Sequence, residues 1–136
     1  MNPPANKPVP GSPQEWLIHA ESDLRMARLG EHDKTVLPQQ VCFHAQQAAE
    51  KALKAVLLYA RIDFPLTHDL QELLDLLEHD SINPPSEIQG AGSLTPYAVE
   101  TRYPGYFAPI TPLEMEEAIN LAQKIIHWAK LYVGNS

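Results

Sequence analysis

The sequence predicts an all-α protein, an antiparallel up-and-down bundle of four to five helices. Apolar residues recur at helical spacing in several separate segments. No segment alternates convincingly between apolar and polar residues, as a strand with one buried face would. Short turns join the segments, and helices connected in this way pack against one another in antiparallel order.

Composition limits the possible functions. The 136 residues suit one domain, which we expect to span residues 13–133 after a disordered, proline-rich tail over residues 1–12. The 17 acidic and 10 basic residues give a net charge of −7, so the chain is poorly suited to coating nucleic acid nonspecifically. No apolar run approaches the roughly 20 residues that span a membrane, and the first residues lack the pattern of a signal peptide. We therefore expect a cytoplasmic protein with no membrane partner.

The first and last helices are predicted from matching start signals. Residues 12–15 read SPQE and residues 111–114 read TPLE, in each case a capping hydroxyl, a proline and then a glutamate three residues after the cap. The apolar residues that follow have helical spacing. They predict a first helix from Pro13 to about Gly30, and a last helix whose apolar stripe runs from Met115 to Tyr132.

Two helices are expected between these. The second begins near Pro38 and runs to about Arg61, with an alanine-rich contact face that allows close approach of its neighbours. The third is capped by Thr67 and extends to about Glu78. It buries one face and leaves acidic residues on the other. The buried face is formed by Leu70, Leu73, Leu74 and Leu77.

The segment from Ser86 to Arg102 is predicted as a further helix with a kink or a short break. Pro96 cannot donate a backbone hydrogen bond there, and Thr95 is the candidate cap of a new turn. A proline at position 104 disfavours helical angles at the residue before it, so this helix should end at about Arg102. We expect a loop over residues 104–110.

An excess of positive charge lies on the second helix. Four side chains spaced 3, 4 and 3 residues apart share one face, and we call them the polar strip: His44, Gln47, Lys51 and Lys54. Between residues 36 and 61 the basic residues outnumber the acidic ones by two. The strip can be a solvated helix face, or it can line a groove that accepts a phosphate or a base edge.

Other candidate residues each allow two interpretations. Arg102 can stabilise the negative end of a helix dipole or bind a phosphate. His68 can contact an anion or order the turn before the third helix. Trp16 and Trp128 fit packing in the core or at a bundle end better than base stacking. The six histidines show no spacing typical of metal ligands, so we predict no metal and no cofactor.

Five segments in this order resemble the HEPN domain family and cover nearly all of residues 13–133. They are DL at residues 23–24, FHAQQAAEKALKA at 43–55, THDL at 67–70, TRYP at 101–104 and EA at 117–118. The resemblance implies a bundle of four or five helices that forms a homodimer. It also implies a minimal nucleotidyltransferase as partner, since many members are encoded beside one and form a complex or a toxin–antitoxin pair with it.

The resemblance also bears on activity. Catalytic members are metal-independent RNases in which an arginine is followed, after four to six residues, by a histidine that moves a proton. Arg102 matches the arginine, but the three positions open to the histidine hold Phe107, Ala108 and Pro109. The expected function is therefore that of a non-catalytic HEPN domain that binds a nucleotide or RNA as companion of a nucleotidyltransferase. The predicted ligand-binding residues are Arg102, Lys51, Gln47, His68, Lys54 and Tyr103, with Arg102 the one weak catalytic candidate.

Two alternatives stay open. The first is a metal-independent RNase whose histidine comes from elsewhere in the chain or from a partner subunit. The second is a purely structural dimerisation module, in which the alanine-rich second helix pairs across the dimer through Ala48 and Ala52.

Overall fold

The computed structural model describes residues 8–98 and 109–134. These residues contain four α-helices and a 3₁₀ helix, and no strand occurs among them. The predicted all-α antiparallel bundle is therefore confirmed. The elements in chain order are α1 (Pro13–Glu31), α2 (Pro38–Tyr59), α3 (Leu70–His79), the 3₁₀ helix (Ser86–Ala98) and α4 (Pro112–Val133).

Helix α2 is the centre of the bundle. It packs against every other element, and 13 of its 22 residues are buried. Two contacts fix α1 and α4 in antiparallel order: Lys130 is paired with Glu21, and Arg28 donates to Gln123 further along. No helix in the described part of the chain is long and apolar enough to cross a membrane.

The predicted starts of α1 and α4 are confirmed. Ser12 Oγ accepts a hydrogen bond from the backbone N–H of Glu15 at 3.2 Å, and Thr111 Oγ1 accepts one from that of Glu114 at 3.1 Å. The Glu15 side chain departs from the ideal capping box, because it accepts from the N–H of Gly11, one residue before the cap, at 2.8 Å. This bond folds the chain preceding α1 back onto the first turn of the helix.

Helices α2 and α3 end with the same C-terminal capping geometry. Arg61 and Ser81 both have a positive φ, and in each case the next residue donates back to the helix, Ile62 N–H to Leu57 O and Ile82 N–H to Leu77 O. This is the Schellman motif, with a residue other than glycine in the left-handed position. The prediction that α2 runs to Arg61 was therefore two residues too long.

The predicted cap of α3 was wrong. Asp69, not Thr67, is the N-cap, and its carboxylate accepts from the backbone N–H groups of Gln71 and Glu72. Thr67 Oγ1 accepts from the N–H of Asp69 and so positions the cap rather than acting as one. The four predicted leucines are buried and the acidic residues of α3 are exposed, as expected.

The segment after α3 is a 3₁₀ helix that continues through Pro96 up to Ala98 instead of breaking there. Thr95 caps no new turn; its hydroxyl accepts from the backbone N–H of Leu70 at 3.1 Å and ties the segment to the start of α3. The tighter winding is consistent with a sequence that contains two glycines and a proline. The predicted helix end at Arg102 and most of the predicted loop lie outside the described residues.

The alanine-rich face of α2 is internal to the chain. Ala48 and Ala52 are both fully buried by the other elements of the same molecule. The alternative in which two copies pair through these residues is therefore wrong, because neither methyl group reaches the surface. The apolar stripes are otherwise as predicted, except that Tyr59 and Tyr132 at the helix ends are 50% and 37% exposed.

Candidate functional site

Asp23 of α1 holds two side chains of the polar strip. Its carboxylate oxygens lie 3.0 Å from His44 Nδ1 and 2.5 Å from Lys51 Nζ. The Asp23 side chain is 14% exposed, and those of His44 and Lys51 are 26% exposed. We call these three residues the Asp23 cluster. It joins α1 to α2 by charge-assisted contacts at the edge of the helix interface.

A second carboxylate organises the other end of the strip. Glu50 accepts from Lys54 Nζ at 2.9 Å and from Gln46 Nε2 at 3.1 Å, and it lies 2.8 Å from His68 Nδ1. Gln47 Nε2 donates to Gln46 Oε1 at 2.7 Å and completes the chain of contacts. We call these five residues the Glu50 cluster. It ties α2 to the connection that precedes α3.

The Glu50 cluster is mostly buried. Glu50 and Lys54 are 4% and 6% exposed, and Gln46 is fully buried, whereas the His68 side chain is 68% exposed. Lys54 Nζ also lies 5.9 Å from the ring centroid of Trp16 and 5.7 Å from that of Phe64. Two aromatic rings thus supplement the carboxylate in stabilising a buried ammonium group.

The electrostatics of Glu50 follow from these partners. Burial opposes ionisation of the carboxyl group, but hydrogen bonds from Gln46, His68 and Lys54, together with the positive charge of Lys54, outweigh it. The pKa of Glu50 is therefore lowered from its ordinary value. The cluster holds a carboxylate and an ammonium group as a buried ion pair at neutral pH.

The structure divides the predicted site between two places. Lys51 belongs to the Asp23 cluster, and Gln47, Lys54 and His68 belong to the Glu50 cluster. Lys54 faces the protein interior, so it is not part of a solvated strip. Arg102 and Tyr103, and Phe107 at the position expected for the histidine, lie outside the described residues.

The sequence reasoning missed Asp23 as a partner of the strip. The residue lies three positions after Ala20 and four before Ala27, both fully buried, so it is on the inward side of α1. That spacing was a usable signal, because a carboxylate on an inward face needs a cation or donors. With Asp23 and Glu50 counted, two carboxylates balance Lys51 and Lys54, and the strip has no net positive charge.

A pocket of about 310 Å³ opens beside Lys51. It lies between the first turns of α1, the chain just before them and the middle of α2. Trp16 packs against the core, as the sequence predicted, and it also lines this pocket, which the sequence did not indicate. Among the described residues, the lining consists of Gly11, Glu15, Trp16, His19 and Lys51. Among the residues that the structure describes, no three His, Cys, Asp or Glu side chains are grouped as metal ligands.

Comparisons with known proteins agree with this architecture. The family model of the HEPN domain matches residues 13–132. The crystal structure of an archaeal HEPN homologue is similar, with 31% sequence identity and a TM-score of 0.71, over 90% of this chain and 98% of that one.

The crystal structure of a protein from Thermus thermophilus is also similar, with 35% identity and a TM-score of 0.68, over 88% of this chain and 97% of that one. No curated protein matches the chain. The family model spans most of the sequence, and both structures exceed 30% identity over nearly their full length. This chain belongs to the HEPN domain family.

Proposed function

We propose that this chain is a non-catalytic HEPN domain that binds a nucleotide, either free or as one unit of an RNA. The observation that carries the proposal is the pocket beside Lys51, where an ammonium group and the indole ring of Trp16 line the same space. An aromatic face and a cation are what a nucleotide needs, the first for its base and the second for its phosphate. The volume suits a single nucleotide unit rather than a folded RNA.

Charge balance supports a small ligand. Asp23 holds Lys51 in place but neutralises it, and Glu50 does the same for Lys54. A protein that tracks an RNA backbone needs clustered, unbalanced cations, and the overall charge of −7 points the other way. We therefore expect one phosphate contact at most. The affinity should fall only about threefold between 50 and 200 mM salt.

The sequence around Arg102 supports a binding role over a catalytic one. A metal-independent RNase needs a group that moves a proton near neutral pH, beside the arginine that stabilises the attacked phosphate. Phe107, Ala108 and Pro109 fill the positions open to such a group and carry no titratable atom. An arginine without this partner can still bind a phosphate, which keeps Arg102 and the neighbouring Tyr103 in the proposed site.

The partners are part of the proposal. The family resemblance favours a minimal nucleotidyltransferase as companion and a homodimer as the assembly. Since Ala48 and Ala52 are internal, a homodimer requires another surface. The outer face of α1 is one option, because Ile18, Met26 and Leu29 recur there at helical spacing and are each about half exposed.

Calorimetric titration with nucleoside monophosphates and a short single-stranded RNA tests the ligand. Lys51→Met should weaken nucleotide binding about tenfold, because it removes a charged donor from the pocket. Lys130→Met is the matched control, since Lys130 pairs with Glu21 on the surface between α1 and α4. Arg102→Ala tests the remaining predicted contact in the same assay.

Two outcomes would contradict the proposal. The first is negligible binding of every nucleotide and RNA by the folded wild-type protein. The second is RNA cleavage that survives a chelator and disappears in Arg102→Ala, which would establish the RNase alternative instead.

A further inference from the structure

We infer that the pocket beside Lys51 selects a guanine base, which stacks on Trp16 and is recognised by Glu15. This inference rests on the proposed nucleotide binding and adds to it the identity of the base and the residue that reads it. It follows from the chemistry of the lining side chains, which differ in what they donate and accept.

Trp16 supplies the stacking surface. Its side chain is half-buried and packs against the hydrophobic core, and Lys54 Nζ lies 5.9 Å from its ring centroid. These contacts hold the indole in one orientation while leaving part of it to line the pocket. A ring fixed in advance loses little conformational freedom when a base stacks on it. Stacking alone favours no particular base, because every base has a π-face.

Glu15 supplies the selectivity. A carboxylate only accepts hydrogen bonds, and Glu15 is the one carboxylate among the described residues that line this pocket. The N–H of Gly11 donates to its Oε1 at 2.8 Å, which orients the group. Each carboxylate oxygen has two lone pairs, so Oε1 and Oε2 can still accept one hydrogen bond each from a ligand. Guanine presents two adjacent donors on its Watson–Crick edge, N1–H and the N2 amino group. Adenine presents an acceptor at N1, which a carboxylate repels.

Lys51 matches the rest of a guanine nucleotide. One of its three ammonium donors is directed at Asp23 Oδ2, at 2.5 Å, and an ammonium group has two others. Those can reach an acceptor such as the guanine O6 or a phosphate oxygen. His19 is exposed at the pocket and is available to the same phosphate. In this arrangement the Glu15 carboxylate accepts from the N–H groups of guanine, and the Lys51 ammonium group donates to an oxygen of the base or the phosphate.

The chain allows a direct optical test, because Trp16 and Trp128 are its two tryptophans. In a Trp128→Phe background, GMP should quench the fluorescence of Trp16. Calorimetry on the same protein should give an affinity for GMP at least about tenfold higher than for AMP, as a base contact with two hydrogen bonds provides. UMP, with a smaller ring and one donor on that edge, should bind more weakly than GMP.

Substitutions then separate stacking from selectivity. Trp16→Ala in the wild-type background should weaken GMP about tenfold, and Trp16→Phe should retain most of the affinity. Glu15→Gln keeps an acceptor for Gly11 but adds a donor, so it should abolish the preference for GMP over AMP. Thermal unfolding of each variant shows whether the bundle is intact.

The outcomes distinguish this inference from the proposed function. If the folded protein binds GMP without quenching Trp16, and Trp16→Ala binds as tightly as wild type, the nucleotide site lies elsewhere. Nucleotide binding then stands, whereas the inference and the assignment of the site to the pocket beside Lys51 are wrong. Equal affinity for GMP and AMP in the wild type would overturn the role of Glu15 alone. If no nucleotide binds at all, the proposed function fails and this inference fails with it.

Discussion

The Asp23 and Glu50 clusters share a carboxylate, a lysine and a histidine, to which the Glu50 cluster adds two glutamines, and they differ in burial. Glu50 and Lys54 have side chains that are 5% and 7% exposed, and both belong to α2. Asp23 joins two helices, and its partners Lys51 and His44 are each 26% exposed. A buried ion pair is set in place by the fold, whereas a half-buried one can exchange a contact for a ligand. The comparison favours a structural role for the Glu50 cluster, and the proposed nucleotide site would draw on the Asp23 cluster through Lys51.

The largest effect should come from Glu50→Gln. This substitution keeps the size of the side chain but leaves the Lys54 ammonium buried without a counter-charge. We expect the free energy of unfolding to fall by about 3 kcal/mol. Urea unfolding followed by circular dichroism measures it.

A double variant sharpens this result. Glu50→Leu with Lys54→Met replaces both charges by apolar groups of similar length, and it should recover most of the lost stability. If Glu50→Gln alone costs less than about 1 kcal/mol, the pair is hydrated in solution and the contrast between the two clusters disappears.

A smaller effect should come from Asp23→Asn. The partners of Asp23 are partly exposed, so water can replace the lost contacts, and we expect a loss of about 1 kcal/mol in the same assay. Nucleotide affinity should fall as well, because Lys51 loses the group that orients it. Lys130→Met, on the exposed pair with Glu21, should change stability by less than about 0.5 kcal/mol. An Asp23→Asn variant as unstable as Glu50→Gln would give both clusters a structural role.

The smallest effect should be the pH dependence of the Glu50 contribution. The pKa of Glu50 is lower in the folded protein, so ionisation stabilises the fold above the ordinary value of 4.5 and this stabilisation is lost as the pH falls through the folded-state pKa. The stability difference between the wild type and Glu50→Gln should therefore be constant from pH 7 to 6 and narrow below about pH 4.5. Unfolding curves between pH 3 and 7 measure it, and a difference that widens on acidification would contradict the lowered pKa.

Local signals in the sequence predicted the helices well. The starts of α1 and α4 depend on four consecutive residues each, so Ser12 and Thr111 could be identified without knowledge of the fold. At the start of α3, Thr67 and Asp69 are both residue types that cap helices well. Which of them is the N-cap depends on how the connection before α3 packs against α2, where Gln46 donates to the backbone carbonyl of His68. The sequence alone could not decide between the two caps, because this packing is a tertiary contact.

The site was less predictable because its contacts are long-range. Lys51 and Asp23 are 28 positions apart, and Glu50 meets His68 across 18. Counting charge between residues 36 and 61 alone gave an excess of two basic residues, which Asp23 reduces to one once α1 packs beside α2. The spacing placed the four residues of the strip on one side of α2, but packing divides them between two clusters and turns Lys54 inward.

Because α1 and α4 are antiparallel, the start of the first helix and the end of the last helix lie side by side. Glu21 meets Lys130, so Pro13 and Val133 lie at the same end of the molecule, roughly 12 and 5 Å along their helices from that contact. A short linker can therefore connect them, which makes the bundle a candidate for circular permutation and for insertion into a surface loop of a host protein. Trp16 lies within one turn of Pro13, so a domain joined at this end of the bundle would lie next to the pocket that Trp16 and Lys51 line.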